Sequence, residues 1–209
     1  MTLREISALL STILVIAGTI WYVQLALRRI KVKPVLASWA VISGTMTLSF
    51  ATYWTTPNHN LVSNACNAIS VVSTGSIFIT SIWLTIKEGK GVSFSKFQKG
   101  CLWVSLAIVI LWVVLVWVFK GTGIIPNILT QVLMMIGYVV TMEKLWHAKG
   151  NSESMVTWWC VLLAGGVALY TGIVSHDPLA ILYAARTTLG TAILVWLMYR
   201  ADKKAHSGE

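Results

Sequence analysis

Long runs of apolar residues alternate with short polar segments along the chain. A membrane-spanning helix needs about 20 apolar residues. Pro34, Pro126 and Pro178 stand at the starts of three runs, where the missing N–H of proline costs least. The pattern predicts an all-α membrane protein with seven transmembrane helices, over residues 6–27, 35–54, 61–86, 101–119, 124–146, 155–175 and 179–199.

The composition agrees with a chain that lies mostly in lipid. Of its 209 residues, 56% are hydrophobic and only 11% are charged, whereas soluble domains carry about 25% charged residues. Seven spans with short connections leave no room for a soluble domain. The first run is long for a signal peptide, so we expect a retained helix. The three cysteines stand in apolar context without paired spacing, which predicts packed thiols and no metal site or cofactor.

Basic residues are concentrated on one side of the predicted membrane protein. The loops after the first, third and fifth helices and the tail hold 13 of the 16 lysines and arginines. The other side has Arg4 and Lys120, and Arg186 lies inside a span. Because cytoplasmic loops are enriched in Lys and Arg, we expect a cytoplasmic C-terminus, an outside N-terminus and a location in the plasma (inner) membrane. Clustering in alternate loops also argues against a nucleic-acid partner.

Polar residues form rows along three of the predicted helices, while the fourth helix has almost none. Ser and Thr within a span are often packing contacts between helices, whereas the amides of Asn64 and Asn67 are harder to satisfy by packing alone. Steps of three and four place each row on one helix face. The rows are Ser38, Thr45, Ser49 and Thr52 on the second helix, Asn60, Ser63, Asn67, Ser70 and Thr74 on the third, and Asn127, Gln131, Met134 and Tyr138 on the fifth.

Arg186 is the sharpest signal in the sequence. It lies about 10 Å into the seventh helix at ~1.5 Å per residue, and an arginine at the bilayer centre costs about 2.5–3.5 kcal/mol. No mid-span Asp or Glu can pair with it, which leaves Glu143 and Asp177 as the nearest acidic candidates. Two interpretations stay open, a structural ion pair or snorkelling side chain and a group that faces a solute cavity.

An internal repeat connects the two ends of the chain. A shift of 119 residues places the first three helices on the last three, and it superposes Gly18 on Gly137, Ser38-Trp39 on Thr157-Trp158, Asn58 on Asp177, and Asn67 on Arg186. An odd number of crossings in between makes the two repeats parallel. We therefore expect a three-helix bundle over 1–99, a linker helix over 100–122 and a second three-helix bundle over 123–209.

The layout and a local residue order resemble the PQ-loop superfamily, which includes the SWEET sugar transporters. The match lacks the proline of the Pro-Gln pair. The residues that carry it are Tyr22-Val23-Gln24, Arg28, Arg29, Lys31 and Ser38-Trp39 in the first repeat, and Tyr138-Val139-Val140, Lys144, Lys149, Ser152 and Trp158 in the second. The resemblance covers nearly the whole chain and implies a 3+1+3 arrangement with the N-terminus outside.

In SWEET-like proteins the solute lies between the third and seventh helices, beneath residues of the second and sixth. By this resemblance Asn67 and Arg186 would bind solute, and arginine in place of asparagine favours a carboxylate or another anion. The candidate substrate-binding residues are Asn67, Arg186, Asn64, Tyr170, Tyr53, Ser49, Thr52 and Tyr138.

The function expected from these features is transport of a small polar solute, a sugar or small organic anion, by alternating access between two helix bundles. The alternative is a membrane receptor or sorting module of the KDEL-receptor kind, which binds a peptide or small ligand. An enzyme is not expected, because the four histidines lie in loops or the tail and no span holds an aspartyl pair. The expected partners are the solute and the lipid bilayer, and the sequence leaves open whether the protein is a homo-oligomer.

Overall fold

The computed structural model describes residues 2–28, 30, 32–54, 60, 62–89, 92–118 and 124–207. Throughout this described part the regular structure is helical, which confirms the all-α prediction. A five-residue π-helical turn, Val114–Val118, continues the fourth helix. The seven α-helices are α1 (Leu3–Leu27), α2 (Leu36–Trp54), α3 (Ala65–Lys87), α4 (Lys96–Val113), α5 (Ile124–His147), α6 (Met155–Val174) and α7 (Pro178–Ser207).

Helices α4 and α7 extend furthest beyond the apolar runs that predicted them. Helix α4 begins at Lys96 because Ser95 and Gln98 form a capping box, in which the Ser95 hydroxyl accepts from the Gln98 N–H at 3.1 Å. Helix α7 continues to Ser207 because its polar end is rich in good helix formers such as Ala, Lys and Arg. Apolar content locates the spans, but it does not mark where a helix leaves the membrane.

Among the helices of the described residues, all but α2 are long and apolar enough to cross a membrane. The six Ser and Thr residues of α2 lower its mean hydropathy. At about 1.5 Å per residue, its 19 residues still reach across a hydrocarbon core of roughly 30 Å. The helices therefore indicate an integral membrane protein, while the side that faces the cytoplasm stays a prediction from the charge distribution.

Six of the helices follow one another around a ring. We call α1–α3 the first triplet and α5–α7 the second. In the first triplet α3 packs against α1 and α2, and in the second α7 packs against α5 and α6. The two most extensive contacts between the triplets are those of α1 with α6 and of α2 with α5. Helix α4 contacts α5 and α2 from outside this ring and is the least buried of the candidate spans.

The two contacts between the triplets are built in the same way, each with a glycine at the crossing. The Ser38 hydroxyl of α2 donates to the Gly137 carbonyl of α5 at 2.7 Å. The Thr157 hydroxyl of α6 donates to the Gly18 carbonyl of α1 at 3.0 Å. The shift of 119 residues that superposes Gly18 on Gly137 also superposes Ser38 on Thr157, so the two bonds correspond to each other.

A methyl group on Gly137 should destabilise the protein. Its Cβ would lie 2.7 Å from Cγ1 of Ile42 and 3.4 Å from the Ile42 nitrogen, and overpacking of this kind costs about 1–3 kcal/mol. Gly137→Ala is therefore expected to lower the melting temperature of the purified protein. Gly44→Ala is the control, because a Cβ there has no neighbour within 4 Å. Equal melting temperatures for the two variants would contradict a tight crossing of α2 and α5.

Candidate solute site

An aromatic layer joins the two triplets in the interior of the ring. Trp39 of α2 and Trp158 of α6 stack with their ring centroids 6.2 Å apart. Tyr22 packs edge-on against Trp39 at 5.3 Å, and Tyr138 packs edge-on against Trp158 at 6.1 Å. Each tryptophan directly follows the hydroxyl residue that bonds a glycine carbonyl at a crossing, so the crossings fix the layer in place.

A small cavity lies between the triplets next to this layer. Its volume is about 50 Å³, which is room for roughly three to five water molecules at 10–15 Å³ of probe volume each. Residues with hydroxyl groups line it from both triplets, but the surface that faces it is mostly apolar. The buried indole N–H of Trp158, which also lines it, has no hydrogen-bond partner. The lining hydroxyl residues are Thr19, Ser70, Ser73, Thr74, Thr157, Tyr183 and Thr187, together with Tyr138.

Arg186 lies beside this cavity and is 8% exposed. Its guanidinium carbon is 5.0 Å from the ring centroid of Tyr183 and 5.9 Å from that of Tyr138. Both rings line the cavity, so the charged group is one aromatic ring away from it. The Arg186 Nε donates to Oε1 of Gln131 at 2.8 Å, while Nη1 is buried without a partner.

The contacts of Arg186 within the described residues are all with uncharged groups. Neither Glu143 nor Asp177, the acidic candidates from the sequence, contacts it. Asp177 instead caps the start of α7, where its Oδ1 accepts from the N–H groups of Leu179 and Ala180 at 3.1 and 3.0 Å, the usual role of aspartate at a helix start. Arg186 therefore carries a buried positive charge without a described counter-ion.

Gln131 is fixed so that its oxygen faces Arg186. Its Nε2 donates to Oδ1 of Asn127 at 2.9 Å and to Oγ1 of Thr130 at 3.3 Å. These two bonds use the amide nitrogen and leave Oε1 for the guanidinium. Asn127 lies one helical turn before Gln131 on α5, so the pair forms from the spacing of the polar row alone.

The predicted residues of α2 and α3 come together in part. Asn67 donates from Nδ2 to Oγ of Ser49 at 3.3 Å, and its Oδ1 is buried without a partner. The Nδ2 of Asn64 is likewise buried and unpaired. Tyr183 connects this region to Arg186, because its hydroxyl bonds to Oγ of Ser70 at 3.0 Å and approaches the carbonyl of Cys66, the residue before Asn67, at 3.5 Å.

Three predicted residues lie elsewhere in the structure. Thr52 accepts from Nε1 of Trp112 at 2.9 Å and so faces α4. Tyr53 lies at one end of the ring, where its hydroxyl donates to Asp177. Tyr170 is 43% exposed, and it lies in the exposed row of α6 with Trp159, Leu163 and Ile173. Only Tyr138 among the predicted tyrosines packs beside Arg186.

Polar contacts also join the triplets at one end of the ring. We call it the basic end, because the loops after the first and fifth helices, which are rich in lysine and arginine, lie there. The Tyr22 hydroxyl donates to Oε2 of Glu153 at 3.0 Å and accepts from Nε1 of Trp39 at 3.2 Å. Glu153 pairs through Oε1 with Nζ of Lys144 at 2.9 Å, and the same Nζ donates to the carbonyl of Lys33 at 2.5 Å. The buried Glu153 carboxylate thus connects Tyr22 of α1 with Lys144 of α5. Through these two residues it also connects Trp39 of α2 and the loop that contains Lys33.

A second carboxylate joins the triplets at the opposite end. Oδ2 of Asp177 accepts from the hydroxyls of Tyr53 and Ser63, each at 2.7 Å. Asp177 is positioned by the turn after α6, in which His176 is left-handed with φ 50° and the Asp177 N–H bonds to the Gly172 carbonyl at 3.0 Å. Asn58, which the repeat superposes on Asp177, lies outside the described residues. Hydroxyl–carboxylate bonds therefore cross between the triplets at both ends.

Several residues of the site were not among the sequence-based candidates. Gln131 and Asn127 were visible as part of the polar row on α5, and Tyr183 lies one turn before Arg186. Glu153 also had a signal, since it is an acidic residue in a basic loop. What the sequence did not show was that these groups face one another.

No family model matches this chain, and neither the curated proteins nor the solved structures contain a significant match to it.

Proposed function

We propose that this protein carries a small polar solute, a sugar or small organic anion, across the membrane by alternating access between two parallel three-helix bundles. In this proposal the triplets are the two bundles, α4 is the linker between them, and the arrangement is the 3+1+3 layout of the PQ-loop superfamily. The N-terminus is outside and the C-terminus is in the cytoplasm.

The observation that carries the proposal is a cavity between two triplets whose contacts correspond in pairs. The bonds from Ser38 to Gly137 and from Thr157 to Gly18, and the stack of Trp39 on Trp158, all relate by the same 119-residue shift. In this proposal both crossings, which lie in the first turn of α2 and of α6 near the basic end, separate when that end opens. Separate carboxylate contacts at the two ends then allow one end to open while the other stays closed.

A reversible disulfide across the triplets tests the proposal. Oγ of Ser38 and Oγ1 of Thr141 are 2.7 Å apart near the basic end, one on each triplet. In a background with Cys101 and Cys160 replaced by alanine, Ser38→Cys with Thr141→Cys should form a disulfide that stops uptake into proteoliposomes, and a reductant should restore it. Uptake is screened over sugars, amino acids and organic anions.

The matched control is a disulfide inside the second triplet. A Cβ on Gly150 would lie 3.6 Å from Cβ of Ala205, within the 3.5–4.5 Å range that disulfides adopt. Gly150→Cys with Ala205→Cys should leave uptake unchanged on oxidation. Uptake that continues in the oxidised Ser38–Thr141 variant would overturn alternating access, and solute binding without uptake would identify the receptor function instead.

A further inference from the structure

Arg186 combines three properties that are rarely found together inside a membrane protein. It is buried, its Nη1 has no partner, and the group bonded to its Nε is the neutral amide of Gln131. An arginine cannot lose its proton to escape the cost of burial. A buried charge is normally paired, so the site is incomplete as the described residues form it.

The chemistry of the missing partner follows from the donors. A guanidinium presents parallel N–H groups that match the two oxygens of a carboxylate. The rings of Tyr138 and Tyr183 flank the guanidinium beside the cavity. The anion that best fits against these flat rings is small and planar. Gln131 cannot take this role, because its nitrogen is held by Asn127 and Thr130 and its oxygen already accepts from Nε.

We propose that Arg186 is the anchor for the carboxylate of a small organic acid, bound between α5 and α7 beside the cavity. The inference rests on the proposed carrier function for the route by which the acid reaches the site. It narrows the solute from a sugar or organic anion to a carboxylate. In this proposal Asn67 of α3, whose Oδ1 is buried without a partner, binds a hydroxyl or N–H elsewhere on the same solute.

Matched pairs of small molecules test the anchor without a transport assay. The melting temperature of the purified protein in detergent, followed by its tryptophan fluorescence, is measured with acetate and acetamide, lactate and lactamide, and benzoate and benzamide. Sodium chloride and sodium sulfate at the same ionic strength are the inorganic arms. At least one carboxylate should raise the melting temperature in a saturable way, and its amide should not.

Gln131→Glu separates an anchor from a structural arginine. A carboxylate at this position would sit within hydrogen-bond distance of Arg186 and supply the counter-ion from within the protein. The variant should melt at a higher temperature than the wild type and lose the shift with carboxylates, with an apparent affinity at least about tenfold weaker. Gln131→Met, which removes the amide without adding charge, should keep the shift.

Three results would overturn the assignment. They are equal shifts with acids and amides, a carboxylate shift that persists in Gln131→Glu, and a shift with chloride or sulfate as large as that with any carboxylate. If only the carrier function is wrong, the melting temperature still rises with carboxylates. Uptake is then absent, or it continues in the oxidised Ser38–Thr141 variant. Uptake of neutral solutes without a carboxylate shift would leave the carrier function standing and remove the anchor.

Discussion

Arg186→Ala is expected to abolish uptake while the protein stays folded. Two charge-assisted hydrogen bonds contribute about 1.5–3 kcal/mol each, and 1.4 kcal/mol is a factor of ten in affinity, so the loss is roughly 100-fold or more. The alanine leaves the Gln131 oxygen without a donor, but it also removes a buried charge that has no described counter-ion. These effects on stability oppose each other, so the melting temperature should change little.

Three companion variants make this result specific. Arg200→Ala, on the same helix at the basic end where Arg200 packs 3.9 Å from the ring centroid of Trp146, should keep normal uptake per folded molecule. Asn67→Ala should weaken uptake more mildly, by the ~1–3 kcal/mol of a lost buried hydrogen bond. Arg186→Lys should be impaired if two parallel N–H groups are needed. A lower melting temperature with normal uptake per folded Arg186→Ala molecule would show that the arginine is structural.

Glu153→Ala is expected to have the largest effect on stability and to loosen the basic end. The Glu153 side chain is 1% exposed, and removal of one partner from a buried ion pair costs about 3–5 kcal/mol. The value should lie near the lower limit, because Lys144 is 21% exposed and can be hydrated. The measurements are the melting temperature and the rate at which a maleimide labels Ser38→Cys, which should rise as the basic end opens.

Two substitutions serve as controls for Glu153→Ala. Glu153→Gln keeps an acceptor for the Tyr22 hydroxyl but loses the charge that Lys144 needs, so its effects should be intermediate. Glu143→Ala removes a half-buried carboxylate of α5 near the same end and should change neither quantity strongly. If Glu153→Ala labelled no faster than Glu143→Ala, the carboxylate would not hold the basic end closed.

The long apolar runs were enough to predict the helices, and the internal repeat picked out residues that meet at the triplet contacts. Gly18, Gly137, Ser38 and Thr157 were aligned from the sequence, and the structure places them at the two crossings. This worked because a close crossing needs a residue without a side chain opposite a small hydroxyl. A close crossing therefore restricts which residue types can occupy it, and such positions can be recognised from the sequence.

The directions of individual side chains were harder to predict. Tyr170 was a candidate because the resemblance places solute-facing residues on the sixth helix, but a position along the helix does not determine the rotation of a residue about the helix axis. The exposed row through Trp159 and Leu163 would have shown that rotation. Glu153 illustrates a different limit, since it meets Tyr22 across 131 residues of sequence. A contact of that kind depends on the packing of whole helices.

The difference between Asn67 and Arg186 gives the proposed site a handedness. The repeat puts an uncharged amide on α3 and a cation on α7 in corresponding positions, with the tyrosine rings beside the cation. An acid fixed by its carboxylate at one helix, by a hydroxyl at the other and by a ring on its side is held at three unlike points. Mirror-image acids cannot satisfy all three equally, so D-lactate and L-lactate should differ in apparent affinity even though their charge, size and solubility are the same.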